Sequence, residues 1–387
     1  MPDYTHRFKS IETNVVHAGA PRPNIEGAVV TPIFQSANYL MRDETEYDAV
    51  RYIRLSNSPN HFALAAKLAA IENGEAALVT ASGMAAITTT LLTHAGAGDH
   101  ILAQKTLYGG TQTFLDEDAP NFGLEYTSFD TADDPASWGK LLKKNTRGVY
   151  VEAISNPLIE VGNLKAVVEF ARAHNLVTVI DNTFATPVNF RPLEIGFDVV
   201  IHSATKYLNG HSDIGAGAII TTAERIDRIR HTLNHLGGSL DPHACFLLER
   251  GLKTLALRVP RQNDNAARLA AFLNDHPHVV EVRHPSLSAS PGHQWARELF
   301  SGFGGMVSFY TDSDARADKF LETVRIPLHA ASLGGVETLV GKPASHSHIG
   351  LTDEQRRTLG ITNNLIRVST GIEDIDELIE DFGRGLG

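Results

Sequence analysis

The middle of this chain switches repeatedly between the apolar period of a helix and that of a strand. A one-sided helical stripe at 164–171 is followed at once by the apolar run Leu176–Ile180. Further strand-like runs occur at 77–79, 101–103, 149–151, 199–201 and 218–220, with helical patterns in several of the gaps between them. This alternation predicts an α/β fold, a mostly parallel sheet covered by helices on both faces. Ligands of such sheets bind beyond the carboxyl ends of the strands.

Three regions are expected along the 387 residues, a length that suffices for two domains of ordinary size. Residues 1–60 have the character of an N-terminal extension, and turn residues at 57–60 then introduce a helical stripe over 62–71. Residues 61–255 hold the helix–strand alternation. Residues 256–387 are predicted to form a smaller α+β domain with strands near 279–282 and 306–309 and a closing helical stripe at 375–382.

Charge and composition exclude several classes of function. Asp and Glu number 45 against 34 Lys and Arg, a formal charge of −11, so the long-range field repels nucleic acid and anionic membranes. No run of about 18 apolar residues that could span a membrane is present, and the start lacks a signal-peptide core. The single cysteine, Cys245, suits a reducing compartment. We therefore expect a cytoplasmic protein with a small-molecule substrate.

The candidate chemistry follows two of the predicted strands. Asp181 comes directly after one strand, and Ser203, Thr205 and Lys206 come after the next. A lysine at an apolar strand end is partly desolvated, which lowers its pKa and favours the neutral, nucleophilic amine. Pyridoxal phosphate requires such a lysine together with a buried carboxylate that keeps its ring nitrogen protonated. The small-residue turn 80–84, placed before a helix, can offer backbone N–H groups to the phosphate.

Other motifs do not support a competing chemistry. His231 and His235 are four residues apart, and His346 and His348 flank Ser347, but no Glu completes a metalloprotease motif, so no metal site is predicted. Neither the dinucleotide fingerprint nor the P-loop occurs. Cys245 lies in an apolar stretch and is expected in the core.

The blocks around these residues resemble the Cys/Met-metabolism family of pyridoxal-phosphate enzymes, which includes cystathionine γ-synthase, cystathionine γ- and β-lyases and methionine γ-lyase. Its members adopt the type I, aspartate-aminotransferase-like fold. The matching blocks run in the family's order over nearly the whole chain: Leu-Tyr-Gly-Gly-Thr111, Ser-Asn-Pro157, Ser-Ala-Thr-Lys206 with Tyr-Leu-Asn-Gly-His-Ser-Asp213, Ser-Leu-Gly-Gly335 and Leu-Ile-Arg-Val-Ser369.

The resemblance implies a role for each matching residue in cofactor binding. Lys206 corresponds to the Schiff-base lysine, Asp181 to the partner of the pyridine nitrogen, and Tyr108 to the catalytic tyrosine that stacks on the ring and exchanges protons. The other residues implied to bind the cofactor are Gly83 and Met84 through backbone N–H groups, Ser203 and Thr205 through hydroxyls, and Asn156 near the 3′-oxygen.

It also implies a substrate site and an assembly. Arg367 with Ser332 resembles the pair that holds the α-carboxylate of the substrate, and a bidentate arginine fits that task. Tyr52 and Arg54 match a Tyr-x-Arg pair that reaches the phosphate of a neighbouring subunit. We therefore expect residues 1–60 to contribute to the neighbour's site, within a homotetramer built as a dimer of dimers.

Two departures bear on the substrate. Relatives that handle cystathionine often carry acids where this chain has Ala331 and Arg51, and methionine γ-lyases have a cysteine in place of Gly110. The expected reaction is γ-elimination or γ-replacement on an L-amino acid: an O-substituted homoserine, canavanine, whose polar end His346 and His348 could hydrogen-bond, or a sulfur amino acid. Two alternatives stay open. One is β-elimination of cystathionine, and the other is a catalytically idle regulatory protein that keeps the fold.

Overall fold

Apolar strands with alternating or fully buried patterns build two separate sheets in the computed structural model, which describes residues 2–41, 43–345, 348–350 and 352–387. The strands are β1 (Ala76–Thr80), β2 (His100–Gln104), β3 (Glu125–Phe129), β4 (Thr146–Glu152), β5 (Val177–Asp181), β6 (Val199–His202), β7 (Gly217–Thr221), β8 (Val279–Arg283), β9 (Met306–Thr311), β10 (Leu328–His329), β11 (Leu339–Gly341) and β12 (Leu365–Ser369).

Helices occupy much of the chain between the strands. They are α1 (Ile11–His17), α2 (Pro59–Ile71), α3 (Gly83–His94), α4 (Gly109–Thr113), α5 (Pro135–Trp138), α6 (Leu164–Ala173), α7 (Thr186–Asn189), α8 (Pro192–Ile195), α9 (Ala223–Leu236), α10 (Pro242–Leu252), α11 (Leu255–Asn274), α12 (His293–Leu299), α13 (Asp314–Thr323), α14 (Asp353–Thr358) and α15 (Ile375–Leu386). Among the described residues, no helix has both the length and the apolar character that crossing a membrane requires.

The larger sheet has the order β1-β7-β6-β5-β4-β2-β3. Every neighbouring pair is parallel except the two that involve β7, which is antiparallel to β1 and to β6. Residues that alternate along a strand face opposite sides. Val179 and Val199 pack on the face covered by α3 and α9, whereas Ile180 and Val200 pack on the face covered by α2 and α6. The sheet is thus buried on both faces, as its continuous apolar strands predict.

The smaller sheet has the order β10-β11-β12-β9-β8. Its core side packs against α11, α13 and α15, and Phe309, Phe320 and Phe382 meet there with ring centroids 5.1 to 6.5 Å apart. The α/β class, the mostly parallel central sheet and the smaller C-terminal α+β part are confirmed.

Four strands were not anticipated from the sequence: β3, β10, β11 and β12, of which β12 was noticed only as a family motif. β3 lies at the edge of the large sheet, with most of its residues partly or fully exposed, so it lacks the apolar run of a central strand. β10 and β11 have two and three residues, too few for a period to be read.

Candidate active site

The carboxyl ends of β4, β5 and β6 open into a cavity of about 500 Å³ between the large sheet and the segment that precedes β11. Strand ends and helix starts place polar groups there because the main chain turns at these points. The lining residues are Ser82, Gly83, Met84, Ile87, Tyr108, Glu152, Ile154, Asn156, Asp181, Thr183, Phe184, Ser203, Thr205, Lys206, Ala331, Ser332, Leu333 and Arg367.

Lys206 follows β6 and points its amine at the C-terminal part of the chain. Its Nζ donates to Ser332 Oγ over 2.6 Å. Burial, and to a lesser degree the charge of Arg367, lowers the pKa of Lys206 from 10.5 to about 8. Ser332 adopts a φ of 87°, a conformation that non-glycine residues rarely hold, so the surrounding structure imposes this contact. The amine is therefore both placed and partly deprotonated near neutral pH.

Asp181 ends β5 and is buried at the floor of the cavity. Its Oδ1 accepts hydrogen bonds from Thr183 N at 2.9 Å and from Thr183 Oγ1 at 2.5 Å. Burial raises the pKa of Asp181, whereas these hydrogen bonds and the nearby His202 act in the opposite direction. A carboxylate with two donors on one oxygen keeps its other oxygen available to a cationic ring nitrogen.

An anion-binding corner forms where α3 begins. The first turn of this 12-residue helix leaves N–H groups without intrahelical acceptors, and Gly83 and Met84 occupy that turn. A Cβ at Gly83 would lie 2.7 Å from the Cβ of Ser203, so only glycine lets the backbone approach the hydroxyl this closely. The Thr205 hydroxyl lines the same cavity while donating to Ala216 O over 3.1 Å. A phosphate group fits this corner. In the same way, the amine of Lys206 fits an aldehyde, and the carboxylate of Asp181 fits a protonated pyridine nitrogen.

Arg367, in β12, joins the two sheets at the cavity. Its Nη1 donates to Asn156 Oδ1 over 2.9 Å, and its Nη2 donates to Ser332 O over 3.2 Å. Burial lowers the pKa of Arg367 to about 10, still high enough for the guanidinium to carry its charge at neutral pH. Tyr108 lies at the N-terminus of α4 with its side chain 40% exposed, accessible to a bound molecule.

Three residues expected at the site do not line this chain's own cavity. Arg54 donates to Asn234 O and to the Tyr47 hydroxyl, each over 2.7 Å, and its guanidinium lies 5.6 Å from the centre of the Tyr52 ring. The guanidinium of Arg51 lies 4.1 Å from the centre of the Tyr39 ring. None of the three is among the residues that line the cavity.

The described histidines for which the sequence predicted no metal-binding role lie outside the cavity. His231 pairs with Asp48 over 3.1 Å, and His235 stacks on Tyr47. His348 is buried with its Nε2 3.3 Å from Leu107 O and does not line the cavity, so its expected contact with a polar substrate end is not available there. His346 and Ser347 lie outside the described residues.

Sequence reasoning missed several lining residues, of which Glu152 is the most consequential. Glu152 ends β4 as Asp181 ends β5, and the two are register partners. The rule that selected Asp181, a polar residue directly after an apolar strand, would also have selected Glu152. Thr183, Phe184 and Leu333 were missed because each lies beside a recognised residue without a chemical signal of its own.

Comparison with known proteins agrees with this geometry. The sequence profile of the Cys/Met metabolism PLP-dependent enzymes matches residues 12–387. The chain is 38% identical to a cystathionine γ-lyase of Bacillus subtilis over 97% of this chain and 98% of the relative. It is 39% identical to an L-methionine γ-lyase of Fusobacterium nucleatum subsp. polymorphum over 97% of each. Identity to a cystathionine β-lyase of Bacillus subtilis is 38%, over 97% of this chain and 96% of the relative.

A solved structure ties the cofactor to the lysine. The putative O-acetylhomoserine (thiol)-lyase of Campylobacter jejuni subsp. jejuni superposes with a TM-score of 0.91 and 31% identity, over 98% of this chain and all of that one, and it carries a pyridoxyl-lysine phosphate. The expectations of a pyridoxal-phosphate cofactor and of a lyase or transferase are confirmed. The chain belongs to the Cys/Met metabolism family of pyridoxal-phosphate-dependent enzymes.

Proposed function

We propose that this enzyme catalyses γ-elimination or γ-replacement on an O-substituted homoserine-like L-amino acid in preference to cystathionine. The observation that carries this proposal is the uncharged wall at Ala331, next to the Ser332–Arg367 pair. The acids of the cavity, Asp181 and Glu152, lie together at the strand ends. Within the described part of this chain no acid lines the Ala331 side, so a distal ammonium group entering there would stay unpaired at a substantial energetic cost.

The residues of the chain divide the work of such a reaction. Arg367 is placed to hold the α-carboxylate, because its hydrogen bonds to Asn156 and Ser332 fix the orientation of the guanidinium at the cavity. The amine of Lys206, with a pKa of about 8, can take a proton from the substrate's α-carbon and return it. Tyr108 can protonate the leaving group. When bound, pyridoxal phosphate supplies the electron sink that stabilises negative charge at that carbon.

The site is proposed to be shared between two subunits. Tyr52, Arg54 and Arg51 lie outside their own chain's cavity, and the segment before them exposes large apolar side chains, with Leu40 92% and Met41 65% exposed. Covering this surface with a second copy would bury it and bring Arg54 to the neighbour's phosphate. In this proposal residues 1–60 are the extension, 61–255 the cofactor-binding domain and 256–387 the C-terminal domain, in a tetramer located in the cytoplasm.

A substrate panel tests the reaction. We expect kcat/KM for O-acetylhomoserine to exceed that for cystathionine by about tenfold or more, the scale of one poorly matched group. Ala331→Glu should shift the ratio towards cystathionine, whereas the control Ala289→Glu, at an exposed position outside this cavity, should leave it unchanged. A parent enzyme that prefers cystathionine would overturn the substrate assignment.

The products separate the competing reactions. Release of 2-oxobutyrate or formation of a γ-substituted amino acid indicates γ-chemistry, and pyruvate from cystathionine indicates β-elimination. Canavanine and methionine belong in the same panel. A loaded enzyme that turns over no amino acid would instead support the idle regulatory protein.

A further inference from the structure

Two carboxyl groups lie side by side at the floor of the cavity. Glu152 and Asp181 are register partners at the ends of the parallel strands β4 and β5, so their side chains leave the same face of the sheet. They are 5% and 9% exposed. When two carboxyl groups are neighbours in a desolvated space, one of them is favoured in its protonated form. A second negative charge would be repelled by the first and would lose its hydration.

The surroundings decide which of the two carries the charge. Asp181 has the Thr183 hydroxyl and N–H on one oxygen and His202 nearby. Glu152 has only main-chain donors, and among the described residues no cation forms an ion pair with it. Desolvation first, and then the charge of Asp181, raises the pKa of Glu152 well above its usual range, although the N–H groups of Tyr108 and Asn156 act in the opposite direction.

The remaining polar groups around Glu152 do not compensate a charge. Tyr150, on the same strand face, is fully buried, and its hydroxyl has no hydrogen-bond partner among the described residues. The two cations that line the cavity are engaged elsewhere, Lys206 with Ser332 and Arg367 with Asn156. An uncharged Glu152 is therefore the arrangement with the smaller desolvation cost.

The main-chain donors to Glu152 belong to two residues of the site. Its Oε1 accepts the N–H of Tyr108 over 2.6 Å, and its Oε2 accepts the N–H of Asn156 over 3.2 Å. Tyr108 directly precedes α4, and Asn156 follows β4 and accepts a hydrogen bond from Arg367. The carboxyl group of Glu152 thus connects the segment that contains Tyr108 to the segment that contains Asn156.

We propose that Glu152 is a positioning residue for this reaction: an uncharged carboxylic acid that fixes Tyr108 and Asn156 relative to each other while Asp181 carries the negative charge. This assignment concerns the chain's own groups and holds for any γ-substituent. Its two parts, the protonation of Glu152 and the fixing of the two segments, are tested separately.

Infrared difference spectra test the protonation without a substrate. Full-length enzyme with its cofactor, labelled with [13C]glutamate, is compared with Glu152→Gln at neutral pH. A protonated-carboxyl C=O band that shifts with the label and disappears in Glu152→Gln is expected. The control is Glu249→Gln, another buried glutamate, whose carboxylate lies 3.9 Å from the Lys253 amine, and it should keep the band. Absence of a band removed by Glu152→Gln would overturn the proposal.

Steady-state kinetics test the positioning. Glu152→Gln stays uncharged and keeps one acceptor, so kcat should fall less than about tenfold, whereas Glu152→Ala should lose about a hundredfold through misplacement of Tyr108, with KM changed much less. Equal losses in both variants would overturn the positioning role. If Glu152→Ala does not fold, Glu152→Gln alone tests the proposal. A fall of about a hundredfold in its kcat would show that catalysis requires a charged Glu152 and would overturn the proposal. The infrared measurement needs no turnover, so its result stands even if the substrate named under the proposed function is incorrect.

Discussion

Gly110 sets the place of the Tyr108 ring. A Cβ built at Gly110 would lie 2.6 Å from Cε1 and 3.1 Å from Cζ of Tyr108, and 3.2 Å from Sδ of Met84. Any side chain at this position therefore pushes the ring away from where it now lies. In this chain the lack of a side chain at Gly110 therefore sets where the Tyr108 hydroxyl lies, which matters for the proton transfer proposed for it.

Gly110→Ala should therefore impair catalysis more than folding. We expect kcat to fall by about ten- to a hundredfold, the cost of a displacement of roughly 1 Å at a reacting group. The matched control is Gly139→Ala, where an added Cβ meets no atom within 4 Å. Steady-state rates and thermal unfolding of both variants make the comparison, and an unchanged kcat in Gly110→Ala would show that the ring is free to move.

At the scale of an element, the turn after Lys206 depends on α11. Arg258 is 4% exposed, and its guanidinium donates to Tyr207 O over 2.9 Å and to Gly251 O over 3.0 Å. No carboxylate forms an ion pair with it in the described part of the chain. Burial lowers the pKa of Arg258 to about 10. The arginine acts as a buried clamp that links Tyr207 O, after Lys206, to Gly251 O, at which Thr254 also donates.

Removing this clamp should destabilise the fold and loosen the lysine together. Arg258→Met leaves the buried Tyr207 O without its donor and breaks the link to Gly251 O, so we expect a loss of about 2–4 kcal/mol in the free energy of unfolding and weaker retention of the cofactor. Arg250→Met, an exposed arginine on α10, is the control and should change the stability by less than about 0.5 kcal/mol. Denaturant titration and dialysis measure the two effects. An Arg258→Met enzyme as stable as the parent would contradict the clamp.

At the scale of the whole molecule, the proposed shared site makes a prediction about mixtures. Lys206→Ala should abolish nearly all turnover, and Arg54→Ala should weaken cofactor binding. When the two variants exchange subunits, some sites take Lys206 from one chain and Arg54 from the other, so up to about a quarter of the parent activity should return if association is random and each dimer has two shared sites. Mixing under exchange conditions, with unmixed variants as controls, measures this recovery. Mixtures that stay inactive would argue for sites complete within one chain.

Much of this architecture can be predicted from short stretches of the sequence. The buried strands of the large sheet and the stripes of α2, α6 and α15 could be predicted because apolar periodicity depends only on neighbouring residues. The same holds for Asp181 and Lys206 at their strand ends, since a polar residue after an apolar run marks the sheet edge. The short or exposed strands β3, β10 and β11 lack that local signal, and their pairing is decided by the neighbours they meet.

The sequence by itself therefore determined the fold class, the lysine, the carboxylate and, through its motifs, the cofactor. Only the tertiary structure decided what surrounds them. Ser332 reaches the Lys206 amine from a segment 126 residues away, and Arg367 reaches Asn156 across 211 residues. Glu152 stands beside Asp181 because the register of β4 and β5 places it there. Periodicity reports burial along one element, whereas contacts between elements, and the charge states they impose, arise from packing that no local pattern encodes.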